Sequence, residues 1–481
     1  MNKFWRLSYV IALLLIACTT PGYPGIDTPN IGGNTDKDRN IIAYIDQRLE
    51  KEYYWLDEVE EKRAQFNRNA KWDNYLSEAL NRLSTNTDDG YVNNKGQRVF
   101  YSYIRDITSQ TRTDVNGFGI GLHYTIASID SDNVYYGFIV EKVYPNSQAE
   151  AAGVIRGDVI TMVGGSHITS SNYYQLFTSI ENNSVAQLKL QLKRQTDNTT
   201  HNITLSKGIY SKTPVLHSAV IDFEGTKIGY LVYTSFDAEY NDQLIDAITS
   251  LKEEGATEVI LDLRCNNGGA VNSAVKLCSA LVPERLSGSV LCRVERNKRN
   301  TVVEQSSEFR LTETGQIFSL EHLTVICSNY SASAAELVVM GLRGLDFPVT
   351  LIGSQTEGKN CGMDVTRKSI GSTIVEYAPI TFMCFNAKGF GDWGEGITPD
   401  IDLTNEANTM GVSDKNFPLP RCDWGDANHD IALAATIADI TGKRISQSAT
   451  RAMLHSTDIT PAVSIAKPVE GIRIYHEAID F

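Results

Sequence analysis

The sequence has no dense cluster of lysine and arginine: 44 basic residues stand against 58 acidic ones, a formal charge of −14. Phosphate backbones are gripped through a positive footprint, so nucleic acid is not an expected partner. No CxxC pair and no Cys/His spacing of the zinc-holding kind is present, so neither a metal nor another cofactor is expected. No long internal repeat occurs, which sets aside solenoids and propellers. The strongest apolar run, Tyr9 to Ile16, is too short beside the ~20 residues a spanning helix needs.

What is present is an ordinary globular composition, 42% apolar and 21% charged, in 481 residues. That length exceeds what one core usually organises, so several domains are expected. The chain opens MNKFWRLSYVIALLLIAC: basic Lys3 and Arg6, an apolar run, then small Ala17 before Cys18, the layout of a secretory leader (1–18). The ending Leu15-Ile16-Ala17-Cys18 resembles the lipobox of bacterial lipoproteins. It implies acylation of Cys18, a membrane anchor, and a place in the cell envelope of a Gram-negative bacterium, facing the periplasm or the outer surface. Residues 19–38, rich in Pro, Gly, Thr, Asn and Asp, read as a flexible tether. The seven cysteines beyond Cys18 are read mostly as core thiols, with room for one or two disulfides in an oxidising compartment.

Residues 39–112 begin with apolar residues at helical spacing among charges, predicting a helical N-terminal domain in which Tyr44, Tyr53, Tyr54 and Trp55 serve as core. Residues 113–210 change to short β-rich runs with one helix near Tyr173 to Ile180. From 211 to about 405 strands and helices alternate, as in KIGYLVYTSF, NDQLIDAITSLKEEG and EVILDLR, predicting an α/β core with a mostly parallel sheet. The glycine- and aromatic-rich stretch Gly371 to Gly394 is expected as an appended hairpin, and 406–481 as one more helix and a tail.

Three loops follow apolar strands in the α/β region, where open sheets present their ligands. Asp262-Leu263-Arg264-Cys265-Asn266-Asn267-Gly268-Gly269 leads into a helix; its glycines free backbone N–H groups beside a helix N-terminus, as an oxyanion hole requires. Ser328-Asn329-Tyr330-Ser331-Ala332-Ser333-Ala334-Ala335-Glu336 also opens a helix, where a serine is ordinarily a cap. Gly353-Ser354-Gln355-Thr356-Glu357-Gly358-Lys359-Asn360 carries a lysine that, taken alone, reads as a solvated charge.

In this order the loops resemble the carboxy-terminal processing members of peptidase family S41, which show DLRxNxGG, SASAxE and TxGK loops. The β-rich module resembles a PDZ domain, through Gly117-Phe118-Gly119-Ile120-Gly121, Pro145 to Gly153 and Arg156-Gly157-Asp158-Val159-Ile160. The resemblance spans about residues 113–403 and implies a ClpP/crotonase-like α/β catalytic core with an inserted or preceding PDZ-like domain. It also implies Ser333 as nucleophile, with Ser331 the alternative, and Lys359 as base. The oxyanion donors it implies are the amide of Ala334 and that of Gly268 or Gly269. In the PDZ family such a glycine-rich loop takes a peptide's terminal carboxylate while the peptide adds to a sheet edge, which assigns peptide binding to Gly117, Phe118, Gly119, Ile120 and Gly121.

The residue types suit this chemistry. A serine hydroxyl needs a base to take its proton, and a lysine serves only when burial keeps it neutral. The family commonly has a Gln four residues after the lysine; Met363 stands there and cannot hydrogen-bond in that way, leaving Asn360, Ser354 or Thr356 to orient the lysine. His217, His429 and His476 are the alternative bases. The expected function is a serine endopeptidase acting on secreted or envelope proteins. The alternative is a peptide-binding lipoprotein of the same fold without turnover.

Overall fold

A computed structural model describes residues 35–92, 96–108, 114–130, 133–169, 171–181, 183–300, 302–312, 315–404 and 422–443, with the strands Thr460–Ser464 and Arg473–His476. The leader, Cys18 and most of the tether lie outside the described residues.

The centre is a six-stranded sheet in the order Val215–Phe223, Thr226–Tyr233, Glu258–Asp262, Leu323–Cys327, Val349–Gly353, Ile401–Asp402. The first two form an antiparallel hairpin, and every other pairing is parallel. Side chains alternate across it: Leu231, Leu261, Val325 and Leu351 enter one apolar layer, and Tyr230, Ile260, Ile326 and Ile352 the other. Helices Asn241–Glu253, Val271–Leu281 and Ala334–Gly344 supply residues to the first layer, and Ile431–Thr441 to the second. Burial on both faces explains why these strands read as continuous apolar runs.

A second, mixed sheet runs Gly268–Ala270, Arg473–His476, Cys361–Asp364, Phe382–Asn386, Val290–Arg296, Ser306–Arg310. The stretch expected as a Gly371 to Gly394 hairpin is divided. Thr373–Ala378 turns back on Thr366–Ile370, whereas Phe382–Asn386 joins this second sheet. The division follows burial, since Phe382 and Cys384 face the core of the central sheet while Val375 and Tyr377 face the N-terminal helices.

Those helices, Asp36–Glu52, Leu56–Lys62 and Trp72–Leu80, begin with a reciprocal cap between Thr35 and Asp38. Their buried residues, among them Ile41, Ile45, Tyr53 and Leu76, form one cluster with Cys361, Met363, Tyr377 and Met383. The strand Tyr103–Asp106 also pairs with Thr373–Ala378. The N-terminal segment is thereby packed against the strand that follows Lys359.

The β-rich module has the strand order Thr200–Ser206, Gln187–Lys193, Val159–Val163, Asn133–Val143, Ile120–Asp130, Thr460–Ser464, with the helix Tyr173–Glu181. Phe118, Phe138, Ile160, Ile180, Leu190 and Leu192 fill its core. The disulfides allowed for by the sequence do not form: all seven cysteines from Cys265 to Cys422 are free, buried thiols. Each sits in packed surroundings, and burial raises the pKa of every one of them.

Candidate active site

The parallel strands Glu258–Asp262, Leu323–Cys327 and Val349–Gly353 end on the same side, and the three motif loops follow them. Serines tie the first two together. Ser331 Oγ donates to the Leu263 carbonyl (2.8 Å) and accepts from the Ser328 amide (2.9 Å), while Ser328 Oγ donates to the Arg264 carbonyl (2.5 Å). Ser331, the alternative nucleophile, thus spends its hydroxyl on the loop. Ser333 is fully buried at the N-cap of helix Ala334–Gly344, with φ 64° and ψ −117°. A non-glycine residue held there costs about 1–3 kcal/mol and persists only where its surroundings impose it. Its Oγ has no hydrogen-bond partner among the described residues.

Gly268, at φ 99°, passes so close to Ser333 that a Cβ on it would stand 2.6 Å from Ser333 Cβ and 2.9 Å from Oγ. Only glycine fits that approach. Its amide donates to Asn266 Oδ1 (2.8 Å), while Asn266 Nδ2 donates to the Tyr233 carbonyl (2.9 Å). Phe236 N–H donates to the Gly268 carbonyl (2.9 Å), and Ala270 N–H to the Phe236 carbonyl (2.7 Å). By the alternation of strand bonds, the N–H and C=O of Gly269 face the opposite side, along which Arg473–His476 runs parallel. The Ala334 amide, at the first position of its helix, has no intrahelical acceptor.

One side chain joins the Ser333 and Lys359 loops. Buried Glu336 accepts from the amides of Ser333 (2.7 Å) and Lys359 (2.9 Å) on Oε2, and from the Gly358 amide (2.8 Å) and Thr356 hydroxyl (2.5 Å) on Oε1. Burial raises its pKa to about 7, against these four bonds that favour the anion.

Lys359 is 0% exposed. Burial lowers its pKa to about 8, opposed by Cys361, Asp89 and Glu357 nearby. Its Nζ lies 4.7 Å from the centre of the Tyr101 ring. Asp89, itself buried, accepts from the Ser102 amide (2.8 Å) and hydroxyl (2.6 Å) and from the Tyr53 hydroxyl (2.7 Å). Of the groups expected to orient the lysine, the Thr356 hydroxyl is spent on Glu336, and Asn360 Nδ2 donates to the Gly391 carbonyl (2.8 Å). Met363 is core.

His217 packs on Tyr230 with ring centres 5.5 Å apart, and His429 bonds Asp426 (2.7 Å), so neither meets the Ser333 hydroxyl. His476 is a strand position opposite Asp364. In the loop Gly117 to Gly121, Phe118 is a core residue whose amide donates to Asn183 Oδ1 (3.0 Å), and Gly119, at φ 81°, accepts from the Tyr144 amide (3.0 Å). The strand that begins at Ile120 carries Thr460–Ser464 antiparallel on its outer edge.

A buried ionic knot joins that module to the first loop. Arg264 pairs with Asp262 (2.7 Å) and Asp430 (2.9 Å), and Arg156 approaches Asp430 at 3.9 Å. The Trp424 ring lies 4.0 Å from the Arg156 guanidinium. Sequence reasoning missed Asp89, Tyr101, Asp430 and Trp424. No local pattern marks them, since Tyr101 meets the lysine loop at Glu357 across a separation of 256 residues.

The profile of peptidase family S41 matches residues 227–403. A probable CtpA-like serine protease of Staphylococcus aureus is 22% identical over 332 residues, 69% of this chain and 62% of that protein. The chain therefore spans a little under two thirds of that relative's length. A probable CtpA-like serine protease of Staphylococcus epidermidis is 22% identical over 432 residues, 86% of this chain and 79% of that protein. Among solved structures, a putative S41 protease from Bacteroides fragilis shares the fold, with TM-score 0.64 and 22% identity over 86% of this chain and 99% of that one.

Proposed function

From the premise that this chain carries a peptidase family S41 domain at residues 227–403, we propose that it is a serine endopeptidase with Ser333 as nucleophile and Lys359 as base. The observation that carries the proposal is Glu336, whose single buried carboxylate holds the amides of both residues. The lowered pKa of Lys359 supports the base role, since a neutral amine is required.

In the reaction, Lys359 Nζ takes the Ser333 proton as Oγ bonds to the scissile carbonyl carbon, and the π electrons move to oxygen. The amides of Ala334 and Gly269 hold that oxyanion; Gly268 is set aside because its amide is committed to Asn266. Collapse breaks the C–N bond, and the leaving amine takes the proton from Lys359. Water, deprotonated by the same lysine, then hydrolyses the acyl-enzyme.

The β-rich module is proposed as a PDZ-like selector of extended peptides, a reading favoured by the strand already added beside Ile120–Asp130. The leader pattern ending at Cys18 supports a lipid-anchored place in the envelope, and with it secreted or envelope proteins as substrates.

The test is incubation of residues 19–481 with unfolded casein beside Ser333→Ala and Lys359→Ala. The proposal expects cleavage by the parent and its loss in both variants. A folded parent that binds peptide without cutting casein would support the second reading, a binding protein; the unpartnered Ser333 hydroxyl is what favours it.

A further inference from the structure

Lys359 points toward the N-terminal segment. Its Nζ rests over the Tyr101 ring, and Cys361 and Met363, two and four residues further on, belong to the core cluster built on the N-terminal helices. Cys361 Sγ donates to the Asp88 carbonyl (3.3 Å), which brings the next residue, Asp89, to this side of the lysine loop. Asp89 is a fully buried carboxylate: Oδ1 accepts from the Ser102 amide, and Oδ2 from the hydroxyls of Ser102 and Tyr53. Its donors are anchored in turn, since Ser102 Oγ accepts from the Ile380 amide (2.8 Å) and the Tyr53 hydroxyl from Asn86 Nδ2 (3.0 Å). Gly90, at φ 137°, comes so near Val99 that a Cβ on it would stand 1.9 Å from the Val99 carbonyl oxygen, which draws the Asp89 turn onto the stretch leading to Tyr101. Ser102 follows Tyr101 in the chain, so this one carboxylate fixes the stretch that lays the ring against Nζ.

We propose that Asp89 is a positioning residue for Lys359: through Ser102 it fixes the ring against which Nζ rests, and its buried charge orients the ammonium formed when the lysine takes the Ser333 proton. The catalytic consequence rests on the proposed peptidase function; the coupling of the two side chains does not. The proton passes from Ser333 Oγ to Lys359 Nζ and on to the leaving amine, and Asp89 stays an anion throughout. Burial raises the Asp89 pKa to about 6, against the bonds from Ser102 and Tyr53, so it is ionised in the range near pH 8 where Lys359 gains and loses its proton. The other titratable groups facing Nζ are Cys361, Cys384, Glu357 and Tyr101, while Glu336 accepts from the Lys359 amide. Burial raises the pKa of both thiols and of the Tyr101 phenol, leaving them neutral near pH 8. Glu357 is half-buried, where water weakens its charge, so Asp89 is the less screened of the two carboxylates.

The first arm of the test reads the lysine itself, in residues 19–481 carrying Ser333→Ala, and needs no activity. Lysine is labelled with carbon-13 at Cε, the Lys359 signal is assigned by its loss in Lys359→Arg, and its titration is followed by NMR. Asp89→Asn should lower the midpoint by about one pH unit, because a nearby anion no longer favours the ammonium. A merely structural lesion would admit water and move the midpoint up toward 10.5, so the direction separates the two roles. Glu357→Gln should move it less. The second arm, with Ser333 restored, reads kcat and KM on an unfolded peptide. On the alkaline plateau Asp89→Asn should lose about tenfold in kcat with KM little changed. Ser102→Ala leaves the carboxylate its bonds from the Ser102 amide and the Tyr53 hydroxyl, and keeps the test decisive should Asp89→Asn fail to fold. It should lose severalfold in kcat with the midpoint unmoved. A midpoint that stays or rises in folded Asp89→Asn, one that moves further in Glu357→Gln, or an unchanged kcat in Ser102→Ala overturns the inference. A parent that cuts no peptide while the midpoint falls as expected overturns the peptidase reading and supports the coupling of Asp89 to Lys359.

Discussion

The pKa of Lys359 offers the sharpest test of the site. Burial lowers it to about 8, while the Tyr101 ring, 4.7 Å from Nζ, favours the ammonium form and works against the base. A cation over an aromatic face is worth about 1–2 kcal/mol when desolvated, and one pKa unit corresponds to about 1.4 kcal/mol. Tyr101→Leu should therefore lower the pKa of Lys359 by about 0.7–1.5 units, whereas Tyr101→Phe keeps the ring face and should leave it nearly unchanged. The base must be neutral, so kcat/KM should rise with pH and level off above the pKa. At pH 7 the neutral fraction would climb from about a tenth to between roughly a third and three quarters in Tyr101→Leu, a gain of about four- to eightfold. The assay is a pH profile of kcat/KM on an unfolded peptide for the parent and both variants. An inflection in Tyr101→Leu that stays with the parent's, or moves to higher pH, would refute the assigned balance of burial against the ring.

Glu336→Gln keeps the shape but has one acceptor oxygen where four donors converge. Stranded amides should cost about 1–3 kcal/mol in urea unfolding, and loosening of the Ser333 to Lys359 spacing should cut kcat ten- to a hundredfold with KM little changed. The Glu336 pKa is raised to about 7 from 4.5, so its contribution is full below about pH 4.5 and is lost as pH rises through 7. The stability gap between parent and Gln variant should narrow over that window, and a gap that widens with pH would contradict it. Asp430→Asn should destabilise by about 3 kcal/mol, because Arg156 would be left as a buried cation without its anion and Arg264 with Asp262 alone. Burial alone would raise the Asp430 pKa, but Arg264 and then Arg156 outweigh it and hold it below 3.8. The parent's advantage should be full above about pH 4 and shrink as pH falls further, as read by urea midpoints across pH 3 to 7.

The parts legible in the sequence were those with a local signature. Strands buried on both faces showed as apolar runs, as in Leu323–Cys327, where all five positions are buried. The motif loops showed because glycines and serines gather where a strand turns into a helix. The groups around Lys359 were not legible, because Tyr101 and Asp89 come from the far N-terminal segment and are brought in by a shared core rather than by a pattern. Met363 is the clearest case. Weighed by the family's usual Gln it reads as a defect, but in the fold it is a core residue of the cluster joining the N-terminal helices to the strand after Lys359. What the sequence did indicate there was apolarity, and burial is also what lowers the lysine's pKa.

The same reasoning connects the β-rich module to the chemistry. Arg156 lies in the Arg156-Gly157-Asp158 turn of that module, and Arg264 lies in the loop that leads to Gly268 and Gly269. Both reach Asp430, the N-cap of helix Ile431–Thr441, beneath the Trp424 ring. Two buried guanidiniums share one carboxylate in this knot, so displacing the module without also moving Arg264 would leave Asp430 half neutralised and Arg156 without its anion. The positions of the module and of the loop that leads to Gly268 and Gly269 are therefore energetically tied.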